Sequence, residues 1–183
     1  MFRKGIVFTG SGGQGVITAS IILAEAAGLH GGMNAVQAQA YGPEARGGAT
    51  RADVVLSDEA ILYPKVIKPH ILVCLTQLAY DKFSPLVRPG GVLLTDSFYI
   101  QHQHKSDAIP YHLSMYKSVM DKIGKPIVFN ICMLGTLIGL TGLIDPQPIM
   151  KVLETKIPKG FLEMNREALE LGLELAEKVN KKN

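Results

Sequence analysis

A cluster of glycines near the start of the chain places the strongest constraint on the fold. Gly10, Gly12 and Gly15 have the spacing G-x-G-x-x-G, and Gly13 adds a fourth glycine to the loop. The apolar run KGIVFT precedes the loop, and VITASIILAEAA follows it with the spacing of a helix. The segment therefore predicts a strand, a glycine turn and a helix, with backbone N–H groups of the turn facing whatever lies beyond the helix N-terminus.

The same spacing is typical of a loop that binds the pyrophosphate of a dinucleotide. A nicotinamide enzyme also needs an acidic residue about 20 positions further on, where it binds the ribose hydroxyls. The corresponding region offers Gln37 and Gln39, and its first acidic residue is Glu44. A mononucleotide phosphate loop does not fit, because no Lys-Ser or Lys-Thr pair follows the last glycine. A free-standing dinucleotide-binding enzyme stays an alternative, as does a loop that only packs the helix on the strand.

Apolar runs and turn signals alternate through the remaining chain. The first helix is predicted to end at Gly28, further strands are predicted at 34–40, 50–57, 70–76 and in GVLLTDS, and a short helix at 77–87. A polar connection, 101–112, leads to helices at roughly 112–123, 129–144, 146–156 and 161–180. This order predicts an α/β fold, Rossmann-like and doubly wound, with a mostly parallel sheet, helices on both faces and a helical C-terminal portion. Residues 1–183 are predicted to form one domain.

Composition limits the function classes. The chain has 183 residues, a hydrophobic content of 47%, and 19 basic against 16 acidic side chains. Because no basic stripe is interleaved with aromatic residues, we expect no nucleic-acid partner. Both cysteines, Cys74 and Cys132, lie in apolar runs, which favours buried, reduced thiols and a cytoplasmic location.

One long apolar segment, 127–144, carries no charge and reaches the minimum length of a membrane span. Three glycines, two threonines and an asparagine interrupt it, and it has no aromatic belt. We therefore expect a buried helix and no membrane association. Gly135, Gly139 and Gly142 would share one face of that helix and allow close approach of another backbone, either the sheet or a partner subunit.

A second glycine-rich segment, YGPEARGG, occupies residues 41–48. Its proline and glycines fix the backbone, while Glu44 and Arg46, with the nearby Arg51, supply charge. Arg46 can clamp a carboxylate or a phosphate. A local ion pair between Glu44 and Arg46 is the alternative.

Other polar residues give weaker signals. Asn130 and Asn165 interrupt apolar helical stripes, so each amide should have a hydrogen-bond partner. His102, His104 and His112 match no familiar zinc pattern, and we expect no metal site. No serine or cysteine lies in a recognisable nucleophile motif, so no catalytic residue is assigned to the chain.

Four segments, taken in order, resemble the gamma subunit of the 2-oxoacid:ferredoxin oxidoreductases, that is, the pyruvate/ketoisovalerate oxidoreductase gamma domain. The segments are GSGGQGVITASIILAEAA, QAYGPEARGGATRADVVLSDEAILYP, NICMLGTLIGL and KGFLEMNREALELG. The resemblance covers nearly the whole chain. Within the family, YGPEARGG is more similar to the 2-oxoglutarate synthase type than to the pyruvate type. Pyruvate, branched-chain 2-oxoacids and indolepyruvate stay as alternative substrates.

The resemblance implies one subunit of a hetero-oligomeric enzyme that is not active alone. Such enzymes convert a 2-oxoacid and coenzyme A into an acyl-CoA and pass electrons to ferredoxin. Thiamine diphosphate, Mg and iron–sulfur clusters are expected in the alpha, beta and ferredoxin-like delta subunits. The two cysteines agree with this division, because a cluster needs more thiolates. Coenzyme A is the one cofactor that this chain is expected to contact.

The candidate cofactor-binding residues follow from these two glycine segments and the two asparagines: Gly12, Gly13, Gln14, Gly15, Tyr41, Glu44, Arg46, Gly47, Gly48, Asn130 and Asn165. The glycine loop would shape a backbone surface near coenzyme A, and Arg46 would supply charge beside it. A purely structural subunit, in which the glycines serve only close packing, is a further alternative.

Overall fold

The computed structural model of the chain describes residues 1–39 and 49–181. Its elements, in chain order, are β1 Arg3–Gly10, α1 Val16–Glu25, β2 Asn34–Gln39, β3 Thr50–Ser57, β4 Ile71–Cys74, α2 Gln77–Phe83, β5 Val92–Asp96, β6 Ile109–Leu113, α3 Met115–Lys122, α4 Phe129–Thr141, α5 Pro146–Lys156 and α6 Lys159–Asn180. A π-helical turn, Ala26–His30, continues α1.

The described strands form one sheet of six strands in the order β2-β3-β1-β4-β5-β6. Strands β1, β4, β5 and β6 pair in parallel. Strand β3 is antiparallel to both β1 and β2. The predicted doubly wound, mostly parallel sheet is confirmed. That residues 1–183 form one domain stays a prediction.

The two faces of the sheet are covered by different elements, because alternate side chains of a strand point to opposite faces. On β1, Ile6 and Phe8 belong to the larger core, which includes α1 and the helices from α3 to α6. Val7 belongs to a smaller core on the other face, where α2 contributes Ala79 and Tyr80. Helices on both faces and a helical C-terminal portion were both predicted.

Helix α4 is the buried helix that the long apolar segment predicted. Ten of its residues, from Phe129 to Ile138, are buried. No helix formed by the described residues is both long and apolar enough to cross a membrane.

The glycine face of α4 packs against α6, not against the sheet or another subunit as expected. A Cβ on Gly135 would overlap the carbonyl oxygen of Leu169, and one on Gly139 would lie 2.7 Å from the Cβ of Ala176. Gly142 does not belong to this face. It ends α4 in the left-handed conformation, with φ of 59°, and a Cβ added to it would meet no atom within 4 Å, so its role is that of a C-cap.

Two further expectations were wrong. Gly28 does not end the first helix, because the π-helical turn carries the chain on to His30 and the backbone reverses at Gly31 and Gly32. The polar connection contains the strand β6, and α3 starts at Met115 rather than at 112. Strand β6 was missed because it is an edge strand, which tolerates Pro110 and exposed polar residues.

Candidate functional site

The glycine loop lies where the sheet changes its direction of winding. Strands β1 and β4 are neighbours, yet the helix after β1 packs on one face and the helix after β4 packs on the other. A crevice opens outside the carboxyl ends of two such strands, and it is the usual ligand site of an open α/β sheet. Residues 11–15 connect β1 to α1 in this position.

The Gln14 side chain fixes the loop. Its Oε1 atom accepts a hydrogen bond from the Ser11 amide at 2.8 Å, and its Nε2 atom donates to the Leu75 carbonyl at 2.9 Å. Burial raises the pKa of the Tyr99 hydroxyl, and a hydrogen bond with Gln14 opposes that shift. One side chain thus joins the loop to the end of β4 and to the segment after β5.

The loop leaves the N-terminus of α1 open to a ligand. Gly15 is the N-cap residue and offers no side chain to the first backbone N–H groups, and the first turn contains no acidic residue. Gly13 and Gly15 have φ of 87° and 71°, values that only glycine adopts readily. Nothing lies within 4 Å of a Cβ built on Gly12 or Gly13. A ligand can therefore approach the backbone closely at the positive end of the helix dipole.

A cavity of about 310 Å³ adjoins the loop. Gly13, Gly15, Asn130 and Asn165 all line it, although they are separated by up to 152 positions in the chain. Most of its wall is apolar and comes from the segments before α4 and before α6, together with Phe161 and Met164. An apolar cavity with a few polar groups is typical of a site for a small organic ligand.

Both asparagines of the cavity are buried, with 7% of each residue exposed. The Asn130 Nδ2 atom donates to the Gly15 carbonyl at 3.3 Å, and the Asn165 Nδ2 atom donates to the Phe161 carbonyl at 2.8 Å. The expected hydrogen-bond partners are thus present. A Cβ on Gly15 would lie 2.6 Å from the Asn130 Nδ2 atom, so this contact also requires glycine.

The other candidate residues, Tyr41, Glu44, Arg46, Gly47 and Gly48, lie outside the described residues. The residue that begins β3, Thr50, pairs with Gly10 at the end of β1. Strand β3 therefore starts beside the end of β1, where the glycine loop begins.

An aromatic cluster beside the loop was missed by the sequence analysis. Phe98 stacks on Tyr116 with ring centroids 4.6 Å apart, and Tyr116 meets Phe129 edge to face at 5.6 Å. Phe98 is 58% exposed. These residues come from three separate segments with no common spacing, so no local pattern could have identified them.

Asp96 holds this cluster in place from the end of β5. The residue is fully buried, and its carboxylate accepts the amides of Phe98 and Tyr116, each at 2.8 Å. Burial raises the pKa of the Asp96 carboxyl, and the backbone hydrogen bonds oppose the shift. Its place at the end of the strand run VLLTD was the one available sequence signal.

Neither thiol has the setting of a nucleophile. Cys74 and Cys132 are buried and unpaired, as expected, and burial raises the pKa of each to about 12. A reactive cysteine instead has a lowered pKa and some exposure. In residues 1–39 and 49–181, no group of three or more His, Cys, Asp and Glu side chains is placed to hold a metal ion.

Replacing Gln14 by alanine is expected to lower the free energy of unfolding by about 1–3 kcal/mol, because the Leu75 carbonyl and the Ser11 amide lose their partner in a half-buried place. Urea unfolding measures the change. Gln147→Ala, at an exposed position of α5, is the matched control and should change stability by less than about 0.5 kcal/mol. Equal effects of the two substitutions would show that Gln14 does not hold the loop.

Comparison with known proteins places this architecture in a family. Residues 5–175 match the family described as pyruvate ferredoxin/flavodoxin oxidoreductase. The chain is 44% identical to 2-oxoglutarate synthase subunit KorC of Methanocaldococcus jannaschii, over 97% of this chain and 96% of that protein. It is 40% identical to the protein of the same name from Methanothermobacter marburgensis, over 94% and 96% of the two chains.

A solved structure agrees. The crystal structure of the keto/oxoacid ferredoxin oxidoreductase gamma subunit from Geobacter sulfurreducens superposes with a TM-score of 0.90 at 36% identity, covering 97% of this chain and 98% of that one. The match extends over the sheet, the glycine loop and the C-terminal helices alike. The chain belongs to the pyruvate ferredoxin/flavodoxin oxidoreductase family.

Proposed function

We propose that the chain is the gamma subunit of a 2-oxoacid:ferredoxin oxidoreductase that acts on 2-oxoglutarate. The observation that carries this proposal is the full-length likeness to 2-oxoglutarate synthase subunits, at up to 44% identity. The assembled enzyme would oxidise 2-oxoglutarate with loss of carbon dioxide, transfer the acyl group to coenzyme A and pass two electrons to ferredoxin. We place this complex in the cytoplasm.

The chain's own residues do not fit the redox cofactors of that reaction. Iron–sulfur clusters are held by sets of cysteine thiolates. The chain has two cysteines, one in β4 and one in α4, and both thiols have raised pKa values. The clusters therefore belong to other subunits, and this proposal assigns thiamine diphosphate and Mg with them to the alpha, beta and delta subunits. The role of the present chain is to bind and orient, not to transfer electrons.

Coenzyme A is the ligand we assign to the glycine loop and its cavity. It carries phosphate groups, which suit the open N-terminus of α1 and the bare backbone at Gly12 and Gly13. It also carries a narrow arm with amide groups, which suits an apolar cavity with Asn130 and Asn165 in its wall. The Tyr41–Gly48 segment would add the charge of Arg46.

The first experiment identifies the complex and its substrate. The tagged chain is purified without oxygen from its native host, and the accompanying polypeptides, thiamine and iron are measured. We expect larger subunits in equal amounts and coenzyme A-dependent dye reduction with 2-oxoglutarate. Activity with pyruvate or a branched-chain 2-oxoacid, and none with 2-oxoglutarate, would contradict the choice of substrate. A chain that elutes alone with a nicotinamide or flavin nucleotide would contradict the proposal itself.

The second experiment tests the loop with two variants of equal size. Gly12→Asp adds a negative charge and Gly12→Asn does not, and neither new Cβ meets an atom within 4 Å. In the assembled enzyme we expect Gly12→Asp to raise the KM for coenzyme A about tenfold beyond the effect of Gly12→Asn, which corresponds to about 1.4 kcal/mol of lost binding energy. The KM for 2-oxoglutarate should stay within about twofold of its original value.

The outcomes separate a binding role from a structural one. An unchanged KM for coenzyme A in both variants would remove the ligand from this loop. Loss of co-purifying subunits, without a selective effect on coenzyme A, would instead favour the purely structural subunit.

A further inference from the structure

A cleft near the amino ends of β1 and β4 shares no lining residue with the cavity beside the glycine loop. The segment 61–69 connects β3 to β4 and packs against the smaller core. It is anchored by Val66, which is 6% exposed. Around this anchor the chain presents large apolar side chains to solvent: Leu62 is 94% exposed, Ile67 72% and Tyr63 53%.

Cationic side chains surround these apolar residues. Arg3, Lys65 and Lys68 line a cleft of about 200 Å³ together with His70. Arg88 contacts the ring of His70 from the other side. A second cleft, of about 520 Å³, meets the first at Ile67 and Lys68. We define the basic edge as Arg3, Lys4, Lys65, Lys68 and Arg88.

The charge of the basic edge is not neutralised within the described part of the chain. None of its five cations forms an ion pair with a described carboxylate. The nearby carboxylate of Asp58 instead accepts the Phe2 amide at 2.9 Å and lies 3.9 Å from the terminal amine. The C-terminal helices differ, because their side chains Glu154, Glu163, Glu174 and Glu177 each pair with a described cation.

His70 lies within the positive potential of the basic edge. Its Nδ1 atom accepts the Gly5 amide at 3.0 Å, a hydrogen bond that requires the unprotonated nitrogen. Burial, followed by the charges of Arg88, Lys4 and Arg3, lowers the pKa of the imidazole. The charges of three cations of the basic edge thus contribute to a positive potential at the His70 ring.

We propose that the basic edge docks an acidic, partly apolar face of another subunit of the enzyme. This inference rests on the proposed function, because it assumes that such subunits exist. An apolar centre with a polar rim is the usual anatomy of a protein interface, and Leu62, Tyr63 and Ile67 supply that centre. Unpaired cations around it select a partner of opposite charge and exclude a positively charged one.

Two other partners fit the surface less well. A transient electron carrier docks through a small, mostly polar contact, whereas this edge exposes three large apolar side chains. A nucleic acid would need cations that follow a groove or a helix, whereas these surround an apolar patch.

The test reverses charges in the tagged chain, which is then studied both alone and assembled into the complex. Lys65→Glu with Lys68→Glu changes the basic edge. Lys151→Glu with Lys178→Glu makes the same change of charge at exposed lysines of α5 and α6 that form no ion pair with a described residue. Partner subunits are titrated onto each purified chain at low and at moderate salt. We expect at least about tenfold weaker binding for the first pair only, and a dissociation constant of the original chain that rises with salt.

A third variant keeps the test informative if the charge reversal disturbs folding. Ile67→Asp places an acid at an exposed position, and it should also weaken association. Circular dichroism shows whether each variant is folded. Partner binding that is unchanged in the folded Lys65/Lys68 variant would overturn the inference.

Three other outcomes distinguish failure of the proposed function from failure of the docking surface. If the original chain binds no partner subunit at all, the proposed function fails, which differs from failure of the docking surface alone. If assembly is unchanged but the KM for ferredoxin rises in the Lys65/Lys68 variant, the edge receives the electron carrier and the inference is wrong. It is also wrong if a labelled DNA duplex binds the original chain and not the variant.

Discussion

Replacing Gly172 by alanine is expected to lower the free energy of unfolding by about 3 kcal/mol or more. A Cβ at this position would overlap the carbonyl oxygen of Cys132 and would lie 2.6 Å from the backbone nitrogen of Thr136. Both atoms belong to the backbone of α4, which cannot move aside as a side chain can. For a chain of this length the loss corresponds to a fall in Tm of roughly 10 °C.

Gly160→Ala is the matched control for this prediction. Gly160 lies on the same helix, α6, and a Cβ added there would meet nothing within 4 Å. Since alanine has the higher helix propensity, this substitution should leave Tm unchanged or raise it slightly. Thermal unfolding followed by circular dichroism measures both variants. A Gly172→Ala chain as stable as the control would mean that α4 and α6 do not pack backbone to backbone.

The contact between α4 and α6 also shows what the sequence could predict. The spacing of Gly135 and Gly139 predicted the close approach correctly, because glycine is the residue that lets two backbones meet. It could not predict the partner, since Gly172 has no second glycine three, four or seven positions away in α6. Gly142 shared the spacing but not the contact, because a glycine at a helix end is explained equally well by a positive φ.

The candidate site was predictable to a similar extent. The loop between β1 and α1 follows from local pattern alone, since a strand, glycines and a helix are adjacent in sequence. Asn130 and Asn165 were identified as polar residues in apolar stripes. Their meeting at one cavity depends on how α4 packs on α1 and how α6 packs on α4, and this long-range information has no local signal. The aromatic cluster was missed for the same reason.

The outermost strand of the sheet, β6, was the hardest element to predict. It pairs on one side only, and its residues are exposed or half-buried. Hydrophobic periodicity is weak in such a strand because neither face is fully covered. Strands β4 and β5, which are almost entirely buried, were correctly predicted from continuous apolar runs.

Removing the carboxylate of Asp53 is expected to destabilise the chain by about 3–5 kcal/mol. Asp53 is 6% exposed and accepts Nε and Nη2 of Arg51 at 2.7 and 3.0 Å. It also accepts the Val66 amide at 2.9 Å, and Arg51 donates to the Val66 carbonyl. Asp53→Ala would therefore leave a mostly buried guanidinium and a buried amide without their acceptor.

Asp53→Asn is the graded control, because its one remaining oxygen can still accept one of these hydrogen bonds. We expect it to cost less than Asp53→Ala by about 1 kcal/mol or more in urea unfolding. A loss below about 1 kcal/mol for Asp53→Ala would contradict the argument, since it would approach the change of less than about 0.5 kcal/mol that is expected of an ordinary surface substitution.

A local measurement separates this effect from general destabilisation. Asp53 and Arg51 hold both backbone groups of Val66, the anchor of the segment 61–69, so their loss should open this segment first. Limited trypsin digestion should then cut Asp53→Ala after Lys65 faster than the original chain. Lys68 is not a trypsin site, because Pro69 follows it. Under the same conditions Gly172→Ala, which is destabilised elsewhere, should be cut after Lys65 no faster than its global stability requires. Since Lys65 belongs to the basic edge, the same Asp53→Ala variant should lose affinity for partner subunits even while it remains folded. Unchanged cleavage after Lys65 would mean that other contacts suffice to hold the segment in place.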